Sequence, residues 1–129
     1  MRLVFLLFIT LVSIAACQPA GTGSSAALTL LEDANIQVRL TPADAPAETP
    51  LQLQLIGPQL LAVHGELTGV SMYMGRIPLR FTQQGEIWQA EFLLGACSDP
   101  NMQWQLHLQL EFSDGKKRTI KQQFHSSWQ

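Results

Sequence analysis

A chain of 129 residues, with 14% charged side chains and a formal net charge of −2 at pH 7, has room for one domain and not comfortably for two. Eight Lys/Arg against ten Asp/Glu leave no basic excess to meet a phosphate backbone, so nothing in the balance points to nucleic acid as a partner.

The N-terminus reads as an export signal. Met1-Arg2 supplies a positive start, and Leu3 to Ile14 is apolar apart from Thr10 and Ser13. That run is shorter than the roughly 20 residues a helix needs to span a bilayer, and it suits a secretory h-region. It closes in Ile14-Ala15-Ala16-Cys17, which resembles a bacterial lipobox. The resemblance implies acylation of the Cys17 thiol, cleavage before Cys17 and acylation of the new amino terminus. Two or three acyl chains hold a protein stably at a membrane, whereas one is marginal. The alternatives are an ordinary signal peptide cleaved after Ala16, leaving Cys17 a free thiol, and an uncleaved anchor. Gln18 rather than Asp follows the cysteine, which by the sorting rule of enteric-type bacteria implies the outer membrane, facing the periplasm.

On this reading residues 1–16 are a signal peptide, 17–27 a lipidated tether and 28–129 the folded domain. The 17–129 chain has 113 residues, and losing Arg2 leaves seven basic against ten acidic side chains, a net charge of −3. Gln18 to Ala27 (QPAGTGSSAA) is too poor in apolar residues to order itself and is expected to act as a flexible tether, holding the domain a few nanometres from the membrane.

From Leu28 the period is two. Ile36, Val38 and Leu40 alternate with Gln37 and Arg39, and Leu51, Leu53 and Leu55 with Gln52 and Gln54, each predicting a half-buried strand. Between them, three prolines in 41–50 make a loop or an edge crossing. After the Gly57-Pro58 turn, Leu61, Val63 and Leu67 predict a third strand with His64 and Glu66 on its other face. Ile77, Leu79 and Phe81 predict a fourth, and Gln83-Gln84-Gly85 a hairpin turn. Trp88, Ala90, Phe92 and Leu94 line the next strand. Gly95 to Asn101 is a loop holding Cys97, and Trp104, Leu106, Leu108, Leu110 and Phe112 form the longest alternation. Asp114-Gly115 is a hairpin signal, with Lys116-Lys117-Arg118 as its charged tip, and Thr119 to Phe124 closes the chain. Seven or eight short strands with no amphipathic helix predict an all-β, antiparallel immunoglobulin-like β-sandwich. Its aliphatic core needs no disulfide.

Motifs for catalysis are absent. There is no Gly-x-Ser-x-Gly elbow, no phosphate-cradling glycine loop and no H-E-x-x-H, and Asp33, Asp44, Glu48 and Asp114 fall in turns, where solvation is their ordinary role. The reading is therefore not an enzyme.

Sulfur is the remaining signal. Met72, Met74, Cys97 and Met102 fall within 31 positions, and thioether and thiolate are soft donors that favour Cu(I). They are equally good core filler. With Cys17 acylated, Cys97 is the one remaining thiol in an oxidising compartment: buried, reactive, metal-bound, or paired with another chain. If the alternation from Leu61 continues, His64, Met72 and Met74 share the outward face and Tyr73 points to the core. A bulge at Gly69 would reverse that. The ordinary alternative places Met72 and Met74 under a loop as satellite core. His64 or His107 could add an imidazole ligand, although His107, on an outward strand face, reads more simply as solvated; His125, near the C-terminus, is less informative.

Met72-Tyr73-Met74-Gly75, then Ile77-Pro78-Leu79, Cys97 and Met102-x-Trp104, resembles small periplasmic β-sandwich proteins found beside respiratory oxidase assembly factors, and the FixH-like and YtkA-like domains. The resemblance covers about residues 36–124 and implies copper handling by the methionine segment. Two functions follow as expectations. One is a lipid-anchored Cu(I)-binding protein for copper delivery or oxidase assembly, with Met72, Met74, Cys97 and Met102 as ligands and His64 in reserve. The other is a non-catalytic envelope module that binds a protein partner through glutamine-rich faces (Gln52, Gln54, Gln89, Gln105, Gln109).

Overall fold

The computed structural model describes residues 26–128. The segments read above as signal peptide, lipobox (Cys17) and, for all but its last two residues, tether lie outside the described residues. Nine strands follow in chain order: β1 Leu28–Glu32, β2 Gln37–Thr41, β3 Leu51–Ile56, β4 Leu60–Gly69, β5 Arg76–Leu79, β6 Thr82–Gln84, β7 Ile87–Phe92, β8 Gln103–Phe112 and β9 Lys117–His125. They build two antiparallel sheets, β1-β2-β3-β7-β6 and β5-β4-β8-β9. Strands β2-β3-β7-β6 opposite β5-β4-β8-β9 give the ABED against C′CFG order of immunoglobulin-like sandwiches, with β1 added at one edge.

Period-two alternation is what lets the sheets close on each other. Leu51, Leu53 and Leu55 of β3 and Trp104, Leu106, Leu108 and Leu110 of β8 are all essentially inaccessible, while Gln52 and Gln54 face outward. Each such leucine contributes about 1.5–3 kcal/mol of burial. The inter-sheet space is filled mainly by leucines, with Trp104, Phe92, Phe124, Ile36 and Ile120 among them, and the only cysteine among the described residues, Cys97, is unpaired.

Nine strands form where seven or eight were expected, and two sheet-level details explain the difference. β1 carries a register shift between Thr29 and Leu31, so its leucines do not alternate cleanly. β6 is three exposed polar residues, Thr82–Gln84, which read as part of a turn. The run expected as one strand over 77–81 is also divided. β5 ends at Leu79 in one sheet and β6 opens at Thr82 in the other, so Arg80 and Phe81 carry the chain across. Phe81 is half-buried, and Gly65 leaves it space, because a Cβ there would lie 3.0 Å from its ring.

Leu61 is a further correction. Expected on the inward face with Val63 and Leu67, it is 62% exposed. The register shifts between Leu60 and Ala62, so Leu60 and Val63 point inward and Leu61 outward, the expected consequence of a bulge.

The loops gather at the two ends of the sandwich. One end carries short turns: 33–36, Gly57–Gln59, Gly85–Glu86 and Ser113–Lys116. The other carries the long connections over 42–50, 70–75 and 93–102, together with residues 126–128. Backbone bonds join these segments: Ala47 N–H donates to the Ser127 carbonyl (3.1 Å), Glu48 N–H to that of Leu94 (2.8 Å) and Ser126 N–H to that of Met102 (3.0 Å). Pro46 also forms a parallel bridge with Ser127.

Candidate functional site

The loop end is where the sulfur residues lie, and its shape begins at Gly69. A Cβ on Gly69 would sit 2.1 Å from the Met72 carbonyl oxygen and 2.5 Å from the Met102 methyl. Only glycine lets the chain fold back this tightly at the end of β4. Ser71 then locks the return. Its hydroxyl accepts from the Gln103 N–H at 3.0 Å and donates to the Met102 sulfur at 3.1 Å, while Val70 N–H donates to the Gln103 carbonyl at 2.8 Å.

This fold-back sets where each sulfur goes. Met102 is 1% exposed and belongs to the core; its thioether already accepts the Ser71 hydroxyl. Met74 is half-buried against the core, its methyl 3.3 Å from where a Cβ on Gly95 would be. Met72 is 39% exposed. Cys97 is half-buried against the same core, and its thiol donates to the Asp99 carbonyl at 3.3 Å. The 70–75 loop and the 93–102 loop therefore do meet, with Met74 beside Gly95 and Met102 beneath Ser71.

The side-chain orientation expected for this stretch does not hold. Tyr73, expected in the core, is 87% exposed, and Met74 rather than Tyr73 packs inward. β4 ends at Gly69 and β5 starts at Arg76, so residues 70–75 belong to no strand and carry no strand alternation.

His64 stands apart from the sulfurs. It lies five residues before the end of β4, about 16 Å along the strand, on the outer sheet face. There it borders a depression of about 390 Å³ with Gly65, Glu66, Arg76, His107 and Gln109. Register places Glu66 opposite His107 and His64 opposite Gln109. Arg76 approaches Glu66 at 3.5 Å, and His107 Nδ1 approaches it at 3.9 Å. Among the described residues, no group of three or more His, Cys, Asp and Glu side chains is placed to hold a metal ion.

The glutamines divide between both outer faces. Gln54 donates to Gln52 at 3.1 Å, and Gln52 lies 3.5 Å from Gln89 on one face; Gln103 donates to Gln123 at 2.8 Å on the other. At the turn end, the Arg118 guanidinium and the Asn35 and Ile36 N–H groups hold the Asp33 carboxyl down to about 2. The Lys116 N–H, with its ammonium at 3.3 Å, lowers that of Asp114.

Sequence reasoning missed Leu93 and Trp128, both exposed at the loop end, and the Arg76–Glu66–His107 arrangement. A signal for Leu93 was present, since it sits out of phase between the inward Phe92 and Leu94. Cross-strand register brings Glu66 to His107, and it is invisible in one strand alone.

No protein-family model matches the chain, and no curated protein matches it. Its fold is that of an immunoglobulin-like β-sandwich. A crystal structure of a DUF4426 family protein from Pseudomonas aeruginosa is similar, with a TM-score of 0.52 and 13% identity, over 78% of this chain and 94% of that one. At that identity the likeness is one of fold. No helix among the described residues is long and apolar enough to cross a membrane.

Proposed function

We propose that this chain is a non-catalytic binding module of the bacterial cell envelope, held by lipid on Cys17 at the periplasmic side of the outer membrane. It presents the outer face of β5-β4-β8-β9 to a protein partner. The observation that carries this reading is the depression centred on Glu66, with Arg76 and His107 on either side. It places both charge signs on a rigid sheet surface, and paired charges of this kind set register and partner choice more than affinity. The test is crosslinking capture of the full chain from envelope fractions. Glu66→Lys should abolish capture of a defined partner, and Gln54→Lys, on the opposite sheet, should leave it intact. Equal capture by both variants would remove this face as the interface.

A second reading, Cu(I) binding for copper delivery or oxidase assembly, is favoured by the approach of Met74 to the Cys97 loop. With Met102 sealed in the core and His64 on another surface, the donor set reduces to Met72, Met74 and Cys97, still soft enough to select Cu(I). Competition against a chromogenic Cu(I) chelator decides it. Wild type should withdraw copper, and Met74→Leu/Cys97→Ser should not; equal withdrawal by both rules the site out.

A further inference from the structure

Exposed large apolar side chains are distributed unevenly over the described residues. Val70, Met72, Tyr73, Leu93 and Trp128 crowd the loop end, and only Leu61 and Ile87 lie elsewhere. The five come from three segments that backbone hydrogen bonds tie into one surface. The N-terminal chain enters at this same end, where Ala43 N–H donates to the Ala26 carbonyl at 2.7 Å. From Cys17 to Ala26 is nine residues, a reach of at most about 30 Å when fully extended.

We propose that the loop end is a lipid-seating surface. Val70, Met72, Tyr73, Leu93 and Trp128 enter the boundary between headgroups and acyl chains, and the domain rests on the bilayer rather than swinging above it. The proposal rests on the Cys17 anchor given above. Three properties of this end fit lipid better than protein. The apolar groups are spread over three segments, and only Trp128 borders a depression, with Ala47, Glu48, Thr49 and Ala96. Tyr73 and Trp128 have the amphipathic rings that settle at a membrane interface. The short connection keeps this end within reach of the surface whatever else is bound. The charge here selects the lipid. Asp44 and Glu48 are exposed at this end, and the neighbouring Arg76 is engaged by Glu66. An anionic bilayer would be repelled, so the surface is zwitterionic phospholipid.

Seating leaves the Glu66 face of β5-β4-β8-β9 lateral to the membrane and free. The test uses the full chain purified from membranes and reconstituted into phosphatidylcholine vesicles carrying bromine on the acyl chains. Bromolipid should quench tryptophan emission, and Trp128→Phe should remove most of that quenching, because Trp104 is core and Trp88 lies in the other half of β7. Tyr73→Asp/Leu93→Asp should reduce it, and Leu61→Asp should leave it unchanged. Adding anionic lipid should lower it, and a rise would overturn the charge argument. A chain that floats with vesicles but shows no Trp128 quenching overturns the seat and leaves the anchor standing. A chain that does not float overturns both. Crosslinking through Tyr73 to a second copy or another protein, without quenching, overturns the seat in favour of that occupant.

Discussion

The two ends of the sandwich are built from the same strands and differ in the length of their connections and in what they leave exposed. At the turn end, connections are short, and positive φ falls at two open glycines, Gly85 at +64° and Gly115 at +83°, and at Gln59 at +60°. Carboxylates there accept from N–H groups of their own turns, as Asp33 and Asp114 do, and Asp33 also pairs with Arg118 of β9. At the loop end, connections are long, Gly69 is needed for space while Gly75 is open at a φ of +76°, and apolar side chains stay exposed. Closing strands economically is enough to explain the first end. It does not explain the second, where Tyr73 and Trp128 are left in water at a hydration cost that a purely structural loop has no reason to carry.

The largest difference should appear between residues beneath the loop end and those on it. Trp104 is fully buried, and its indole N–H donates to the Ser126 hydroxyl at 3.2 Å. Trp104→Ala should cost about 3–5 kcal/mol in urea unfolding, a large fraction of the roughly 5–15 kcal/mol that holds a small domain folded. Tyr73→Ala should change the unfolding free energy by less than about 0.5 kcal/mol, as an exposed side chain does. A large loss at Tyr73 would mean that it is structural, and the loop end would lose its claim to be a binding surface.

The glycines give the next contrast. Gly69→Ala drives a methyl into the Met72 carbonyl and the Met102 methyl, and backbone cannot move aside as a side-chain tip can. A cost near the top of the overpacking range, about 3 kcal/mol, is expected. Gly115→Ala meets no atom and strains only the backbone, for about 1 kcal/mol. Equal losses at the two sites would show that the Gly69 fold-back relaxes easily and does not fix where Met72 and Met74 go.

How far the sequence could be read follows the same division. The sheets were readable because Leu51-Leu53-Leu55 and the Trp104 to Leu110 run follow strand periodicity without interruption, and periodicity alone sorts inward from outward. Leu61 failed because one bulge inverts the phase, and β1 because its register slips at Thr29 and Leu31. The loop end could be located but not oriented. Sulfur density picked out 72–74 and 97–102 as segments that meet. Which thioether is sealed depends on the Ser71 hydroxyl and on Gly69 having no side chain, and no local pattern encodes either contact. The Glu66 depression was out of reach for a similar reason, since its members come from three strands.

The smallest expected effect lies at the turn end and depends on pH. Asp33 is held at about 2, against an ordinary value of 3.8, first by its hydrogen bond with Arg118 and then by the Asn35 and Ile36 N–H groups. A carboxyl whose pKa is lower in the folded state binds its proton more readily when unfolded. Its contribution is therefore complete above about 4 and drains away as pH falls toward 2. Because the pair is solvent-exposed, screening keeps the effect small. Asp33→Asn should leave the urea midpoint above pH 5 slightly lower and make its decline between pH 4 and 2 shallower than in wild type. Parallel declines would mean that the Asp33 carboxylate is held in solution neither by Arg118, which ties the β1–β2 turn to β9, nor by the N–H groups of its own turn. The turn end would then hold together by its backbone geometry alone.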